Sequence, residues 1–419
     1  MKKIIWYLHH YAGAPSLGMS YRPYYLAKEF QALAAKPFVI AASFHHLLNN
    51  KPKVTSQIQA EIIEDVPYIW VKTNTYAGNG IGRLINMFSY ALKIRLFAKK
   101  IVEITEKPDV IIVSSSHPLH YFSGRMLAKK YNARLIFEVR DIWPLSLIEI
   151  LGVAKFNPLV LLMNWIEKRA YHEADFVVSL LPNALAHMQP KGLPPERFVY
   201  IPNGVSSDPQ KKLQERLGDS SASPQDDSRN GKYDNRGGQK FIIGYIGAHG
   251  VPNALDQFIS AMAILQEQGE TNIQAVLVGK GITKTSLQEQ AKNLKNISFL
   301  DPIPKDQVPE FLARMDGFFI GWKALPIYKY GISPNKIFDY MFAEKPIVHA
   351  VDTPFDPVQL AKCGITVPPE QPKELAKAIK TLANLPLAER VQMGLNGKKF
   401  IDEHHRYEVL AKKYLTLFG

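Results

Sequence analysis

The chain alternates short apolar runs with longer stretches in which apolar residues recur every three or four positions. Short continuous apolar runs suit strands buried on both faces, and the longer period suits helices that cover them. In the first half this pattern predicts strands at 4–8, 38–42, 110–114, 134–139 and 176–179. It predicts helices at 21–34, 84–105, 122–130 and 158–172. A second series opens at Phe241-Ile242-Ile243-Gly244-Tyr245-Ile246-Gly247 and continues with strands at 274–278, 297–299, 317–320 and 347–350. A helical tail at 387–417 closes the chain. Two such βαβ series predict an α/β protein of two Rossmann-like domains, with ligands in an interdomain cleft at the carboxyl ends of the strands.

The predicted domains are 1–205 and 241–399, with a C-terminal helix at about 400–419 that can return to the first domain. Between them, 206–240 is rich in Ser, Asp, Gln, Asn, Gly and Lys, the texture of a flexible linker.

Composition narrows the class. At 419 residues and 46% hydrophobic, the chain can bury two cores. Of the formal net charge of +13, residues 1–205 carry +10. A basic surface can meet phosphorylated substrates, anionic lipid or nucleic acid. No Arg-rich run or nucleic-acid module is present, so no nucleic acid partner is expected. The single cysteine, Cys363, excludes internal disulfides and cysteine-based metal sites. The apolar opening run ends at His9-His10, too short for a signal peptide. No stretch reaches roughly 18 uncharged apolar residues, so no transmembrane helix is expected. The expected location is cytoplasmic, on the inner face of the membrane.

Four constellations carry candidate chemistry. Gly13-Ala14-Pro15-Ser16-Leu17-Gly18 follows the first strand, where Gly13 and Gly18 serve either a structural turn or close approach to a ligand. Arg22 follows at a helix start, placed to hold a phosphate or carboxylate or to solvate the helix end. In Glu138-Val139-Arg140-Asp141-Ile142-Trp143-Pro144, alternation puts Glu138 and Arg140 on one side of a strand and Asp141 on the other. These three are the candidate catalytic set, against a structural ion pair. The turn at Gly247 and His249 can admit a phosphate at a helix N-terminus, and Gly279-Lys280-Gly281 repeats the pattern one unit later. Finally, in Gly331-Ile332-Ser333-Pro334-Asn335-Lys336, Ser333 suits an N-cap and Pro334 the first helical position. Lys336 in the first turn is locally unfavourable unless an anion intervenes. Asp339, on the same face, either pairs with Lys336 or grips ribose hydroxyls. Lys323 is a further candidate cation. No D-x-D, H-E-x-x-H or cysteine-based metal spacing occurs, so no required metal or other cofactor is inferred.

Jointly and in order, Gly18-Met19-Ser20-Tyr21-Arg22-Pro23-Tyr24-Tyr25-Leu26-Ala27, Arg140-Asp141-Ile142-Trp143-Pro144, Ile201-Pro202-Asn203-Gly204-Val205 and Gly331–Lys336 resemble family 4 glycosyltransferases of the GT-B fold, and most of all their WbuB-like branch. The resemblance covers the whole chain apart from 206–240. It implies retaining transfer from a nucleotide-diphosphate sugar, a UDP-sugar first among them. The nucleotide would bind the C-terminal half, and Gly13–Gly18 would approach the donor. The N-terminal half would bind the acceptor, expected to be a polyprenyl-diphosphate-linked saccharide. N-acetyl-fucosamine-type transfer in bacterial O-antigen or capsule synthesis is the implied setting. The family's Glu-x7-Glu motif places its second acid on Asp339 and its first on Gly331, and its usual strand-end histidine on Arg140. The segment 81–105, apolar and carrying Arg83, Lys93, Arg95, Lys99 and Lys100, is either a packed helix or a contact with anionic lipid. Two rivals remain open: a sugar-nucleotide 2-epimerase of the same plan, and a non-catalytic sugar-nucleotide-binding protein. A dinucleotide dehydrogenase is disfavoured because no G-x-G-x-x-G follows a strand.

Overall fold

The computed structural model describes residues 2–78, 80–115, 117–206, 240–304 and 307–419. Apart from its two end residues, the linker read at 206–240 lies outside the described residues. The chain divides into two compact units. The first comprises Met1–Asn203, Tyr330–Ser333 and Tyr407–Gly419, and the second Gly204–Lys329 and Pro334–Arg406.

The first unit is built on strands β1 (Ile4–Leu8), β2 (Lys36–Ala42), β3 (Ile58–Ile63), β4 (Val66–Val71), β5 (Val110–Ser114), β6 (Arg134–Val139), β7 (Phe176–Ser179) and β8 (Phe198–Tyr200). They form one sheet in the order β3-β4-β2-β1-β5-β6-β7-β8, parallel except for β3, which runs antiparallel to β4. Every residue of β1 and β5 is buried. Their alternate side chains feed two cores. Trp6, Leu8, Ile111 and Val113 pack on one face, and Ile5, Tyr7, Val110 and Ile112 on the other. That two-sided burial is why these strands read as unbroken apolar runs. The order reverses at β1, with β2 on one side and β5 on the other, so the loops after β1 and β5 flank a topological switch point.

The second unit holds β9 (Phe241–Ile246), β10 (Ile273–Val278), β11 (Ile297–Leu300), β12 (Gly317–Gly321), β13 (Ile347–Ala350) and β14 (Gly364–Val367), in the all-parallel order β11-β10-β9-β12-β13-β14. Its switch point lies between β9 and β12.

The pattern reading needs correction in places. Strands β3, β4, β8 and β14 were not expected. The 84–105 helix is two helices, Ile81–Leu96 and Ala98–Thr105, divided at Phe97, where φ −98° and ψ 17° depart from helical values. The tail is also two helices, Leu387–His404 and Tyr407–Leu415. The break falls where His405 stacks on Phe338 at 4.2 Å and its carbonyl accepts the Val205 N–H at 2.8 Å. Residues from Tyr407 onward belong to the first unit. No helix among the described residues is long and apolar enough to cross a membrane.

Candidate active site

In the first unit, Glu138 is wholly buried on β6 and already bound on every side. Arg22 Nε donates to its Oε2 at 2.8 Å, and Tyr7 Oη donates at 2.9 Å. Ser114 Oγ donates to Oε1 at 2.5 Å, and Tyr414 Oη donates to Oε2. Burial pushes this carboxyl up, but Arg22, Arg140 and the hydroxyl donors outweigh it and hold the group at about 2. Arg22 spends its remaining donors on the carbonyls of Ile201 and Pro202. The expected roles of Glu138 in catalysis and Arg22 in donor binding are therefore corrected. The two form a buried ion pair that ties β6 to the helix Arg22–Ala32 and to the C-terminal helix. The carboxylate has its acceptor sites filled, and the guanidinium, itself buried, is committed to Glu138 and two backbone carbonyls.

Arg140 and Asp141 lie just beyond β6, outside this knot. Arg140 is half-buried, with its Nη1 enclosed and without a hydrogen-bond partner. Asp141 is exposed. Desolvation raises its carboxyl, and Arg140 pulls the other way.

The glycine turn after β1 closes on the protein itself. A Cβ on Gly13 would strike the carbonyls of Gly18 and Met19. Gly18, at φ +142°, bridges to Leu48, and a Cβ there would strike the Leu47 carbonyl. Chain-on-chain packing accounts for both glycines without any ligand.

The structure adds a group that sequence reasoning passed over. The loops after β1, β2 and β5 bring His9, His10, His45, His117 and His120 together, each fully buried. His10 Nε2 lies 2.7 Å from Asn86 Oδ1, so that nitrogen carries the proton. His10 Nδ1 then accepts from His117 Nε2 at 3.0 Å. His45 Nε2 donates to the Ala12 carbonyl at 3.2 Å. Burial above all pushes the five imidazoles down, to about 4 for His45 and His120. The adjacent pairs His9-His10 and His45-His46 lack helical ligand spacing, and the contact of His10 with a residue 107 positions away leaves no local signal.

In the second unit, the loops after β9 and β10 interlock. Gly247 N–H donates to Val278 O at 3.0 Å, and His249 N–H to Lys280 O at 2.9 Å. Gly279 sits at φ +148°, and a Cβ there would strike the Gly247 carbonyl, so only glycine fits this approach. His249 is buried, edge-on to Phe299 at 6.2 Å, and burial lowers its imidazole. Lys280 is exposed. Lys323, the further candidate cation, is engaged by carboxylates in this structure. It bonds Asp256 at 2.9 Å and lies 3.4 Å from Glu370, and these carboxylates hold its ammonium above the usual value against the pull of burial.

The helix Asn335–Phe342 begins one residue later than expected. Pro334, not Ser333, occupies the cap position, at φ −77° and ψ 133°. Ser333 instead accepts from Asn203, through its hydroxyl at 3.1 Å and its carbonyl at 2.7 Å. Asn335 and Asp339 are exposed. Gly331 has φ +102°, and the place of a Cβ is filled by the Pro182 ring. The glutamate that the family resemblance expects at this position has no room here.

Lys336 does not reach for Asp339. Its Nζ donates to Tyr245 Oη and Asn253 Oδ1, both at 2.8 Å, and lies 4.5 Å from the centroid of the Tyr245 ring. The space where Gly247 would carry a Cβ is 3.1 Å from this amine. Desolvation pushes the ammonium down to about 7. Among the described residues Lys336 forms no ion pair with a carboxylate. A dehydrated cation at the β9/β12 switch point, beside backbone stripped of side chains, can receive an anionic ligand.

Comparison with known proteins agrees with this architecture. Residues 18–204 match the glycosyl transferase 4-like domain, and residues 240–384 match glycosyl transferases group 1. No match was found among curated protein sequences. Sucrose-phosphate synthase from Thermosynechococcus elongatus is similar in structure, with a TM-score of 0.71 at 16% identity over 100% of this chain and 98% of its own. Anabaena HepE in complex with UDP and glucose gives a TM-score of 0.63 at 14% identity over 99% and 98%. WaaG, a glycosyltransferase involved in lipopolysaccharide biosynthesis, gives 0.64 at 14% over 99% and 100%. The fold and the two domain matches together define a glycosyltransferase of the GT-B class. The chain belongs to the group 1, family 4-type glycosyltransferases.

Proposed function

We propose that this enzyme moves a sugar, with retention of configuration, from a UDP-sugar to a polyprenyl-diphosphate-linked saccharide in bacterial O-antigen or capsule synthesis. We place it in the WbuB-like branch, with an N-acetyl-fucosamine-type donor and no metal requirement. The observation that carries the donor assignment is Lys336, a desolvated amine poised over Gly247 with two neutral acceptors as its hydrogen-bond partners. HepE in complex with UDP and glucose, and the lipopolysaccharide role of WaaG, support the choice of donor and setting.

As the bond from the sugar to the diphosphate breaks, negative charge collects on the leaving oxygen. Lys336 and the free N–H groups at the start of its helix stabilise that charge. The acceptor hydroxyl attacks the face that the diphosphate leaves, and its proton passes to the departing phosphate oxygen. A protein base is then unnecessary. Asp339 holds the ribose and Lys280 adds a phosphate contact. Arg140 and Asp141 orient sugar and acceptor. The enzyme works at an anionic membrane surface, where such an acceptor resides.

The test is a panel of UDP-, GDP- and dTDP-sugars with and without lipid-diphosphate-linked saccharides, in EDTA. Nucleoside diphosphate release that requires the acceptor is expected. Conversion of the donor without acceptor indicates an epimerase, and binding without turnover indicates a carrier. Lys336→Met is expected to cut kcat/KM about a hundredfold. The wild-type affinity for UDP falls as pH rises through about 7, because the amine must take up a proton to meet the diphosphate. Calorimetry in buffers of different ionisation enthalpy at pH 8 reads that uptake, which Lys336→Met abolishes.

A further inference from the structure

The helix Ile81–Leu96 has two apolar faces. Asn86, Met87, Tyr90, Ala91 and Ile94 are buried toward the first unit's core. On the opposite side Ile81, Ile85, Phe88, Leu92 and Leu96 leave between 50% and 76% of their surface in solvent. Spacings of four, three, four and four residues keep these five within an arc of roughly 80° on a 3.6-residue helix. The exposed row runs the full length of the helix. One isolated apolar residue on a surface needs no explanation, but a continuous row does.

The row does not stand alone. The helix packs beside Tyr121–Tyr131, which packs beside Pro158–Glu173. There Trp165 lies 4.8 Å from the Phe122 ring and remains half exposed. The charge on the helix that carries the row has one sign. From residue 66 to residue 102 there is no Asp or Glu, while Lys72, Arg83, Lys93, Arg95, Lys99 and Lys100 occur. Arg95, Lys99 and Lys100 are exposed.

We infer that the Ile81–Leu96 helix lies in the plane of an anionic bilayer, with its outer apolar row inserted among the lipids and the exposed cations meeting their headgroups. This deepens the reading of a membrane-borne acceptor and names the surface that meets the membrane. An apolar row on a helix whose only charged residues are Arg83, Lys93 and Arg95, followed by the exposed Lys99 and Lys100, the latter paired with Glu103 at 3.1 Å, matches an anionic lipid surface, which combines an apolar interior with negative headgroups. The packed-helix alternative holds for the inner face alone.

The test is flotation of the full chain with phosphatidylcholine vesicles, and with vesicles containing about one-third phosphatidylglycerol. Wild type is expected to bind the anionic vesicles at least ~10-fold better than the neutral ones. Phe88→Ser/Leu92→Ser is expected to lower that binding at least ~10-fold. Arg95→Gln/Lys99→Gln/Lys100→Gln is expected to erase the preference for anionic lipid. The melting temperature should not move, because these side chains are exposed, and transfer to a soluble acceptor analogue should persist. Unchanged vesicle binding in the apolar variant overturns the inference. So does the absence of wild-type binding, or a wild-type dimer in light scattering that the apolar variant dissolves, which would assign the row to a second copy of the chain. Vesicle binding without any glycosyl transfer would leave this surface standing and remove the functional reading, whereas transfer without vesicle binding would do the reverse.

Discussion

Replacing Arg22 with Met is expected to destabilise the first unit by about 3–5 kcal/mol, because it leaves the Glu138 carboxylate buried without its cation. The pair is fully enclosed at 2.8 Å, so solvent cannot replace the lost partner. The variant also frees the carbonyls of Ile201 and Pro202, each costing part of a hydrogen bond. For a unit of this size the thermal transition should fall by roughly 6–20 °C. Arg22→Met/Glu138→Leu should recover much of the loss, since removing both charges abolishes the desolvation penalty. Calorimetry of the three proteins checks this. If Arg22→Met melts within a degree or so of wild type, Glu138 is not held as the geometry requires. The Glu138 contribution is full above the ordinary carboxylate value and is lost only as pH falls toward about 2.

The five buried histidines produce a second large effect in a different window. Folded, they stay neutral because burial holds each below its ordinary value. Unfolded, each takes a proton below about pH 6.5. The unfolded state then binds more protons, so stability is full above about 6.5 and falls as pH drops toward 4. Each histidine removes about 1.4 kcal/mol per pH unit in that window. Five together exceed the ~5–15 kcal/mol stability of a typical domain before pH 4. The first unit is therefore expected to unfold cooperatively near pH 5, while the His10–His117–Asn86 chain holds above it. Arg140 and Arg83, both close to the group, add to the cost of charging it. NMR of the imidazole resonances provides the check. Five that fail to titrate between pH 7.5 and 5.5 agree with this account, and five that titrate normally refute it.

The sequence pattern disclosed the strands that carry the fold, and the reason is burial on both faces. The runs at β1, β5 and β6 are apolar throughout their buried positions, apart from Ser114 and Glu138. The hairpin of β3 and β4 escaped because it turns at Glu64-Asp65, at φ 48° and 70°, without the glycine or asparagine that marks such turns. β8 is three half-buried residues, too short to show a period. The site divided along similar lines. Lys336 stood out because a cation in a helix's first turn breaks a local rule, whereas its partners Tyr245 and Asn253, 91 and 83 positions away, gave no local signal. The Arg22–Glu138 pair joins residues 116 positions apart, so each looked like an uncommitted charge. The partner of Lys323 was hidden for the same reason, because Asp256 is 67 positions away.

The central claim is that the nucleotide binds the second unit around Lys336. Amide hydrogen exchange with and without saturating UDP tests it most directly. The account predicts UDP-dependent protection at 247–253, 279–283 and 334–340, weakened by Lys336→Met. Protection confined to the first unit, or the same protection undiminished in Lys336→Met, would contradict it.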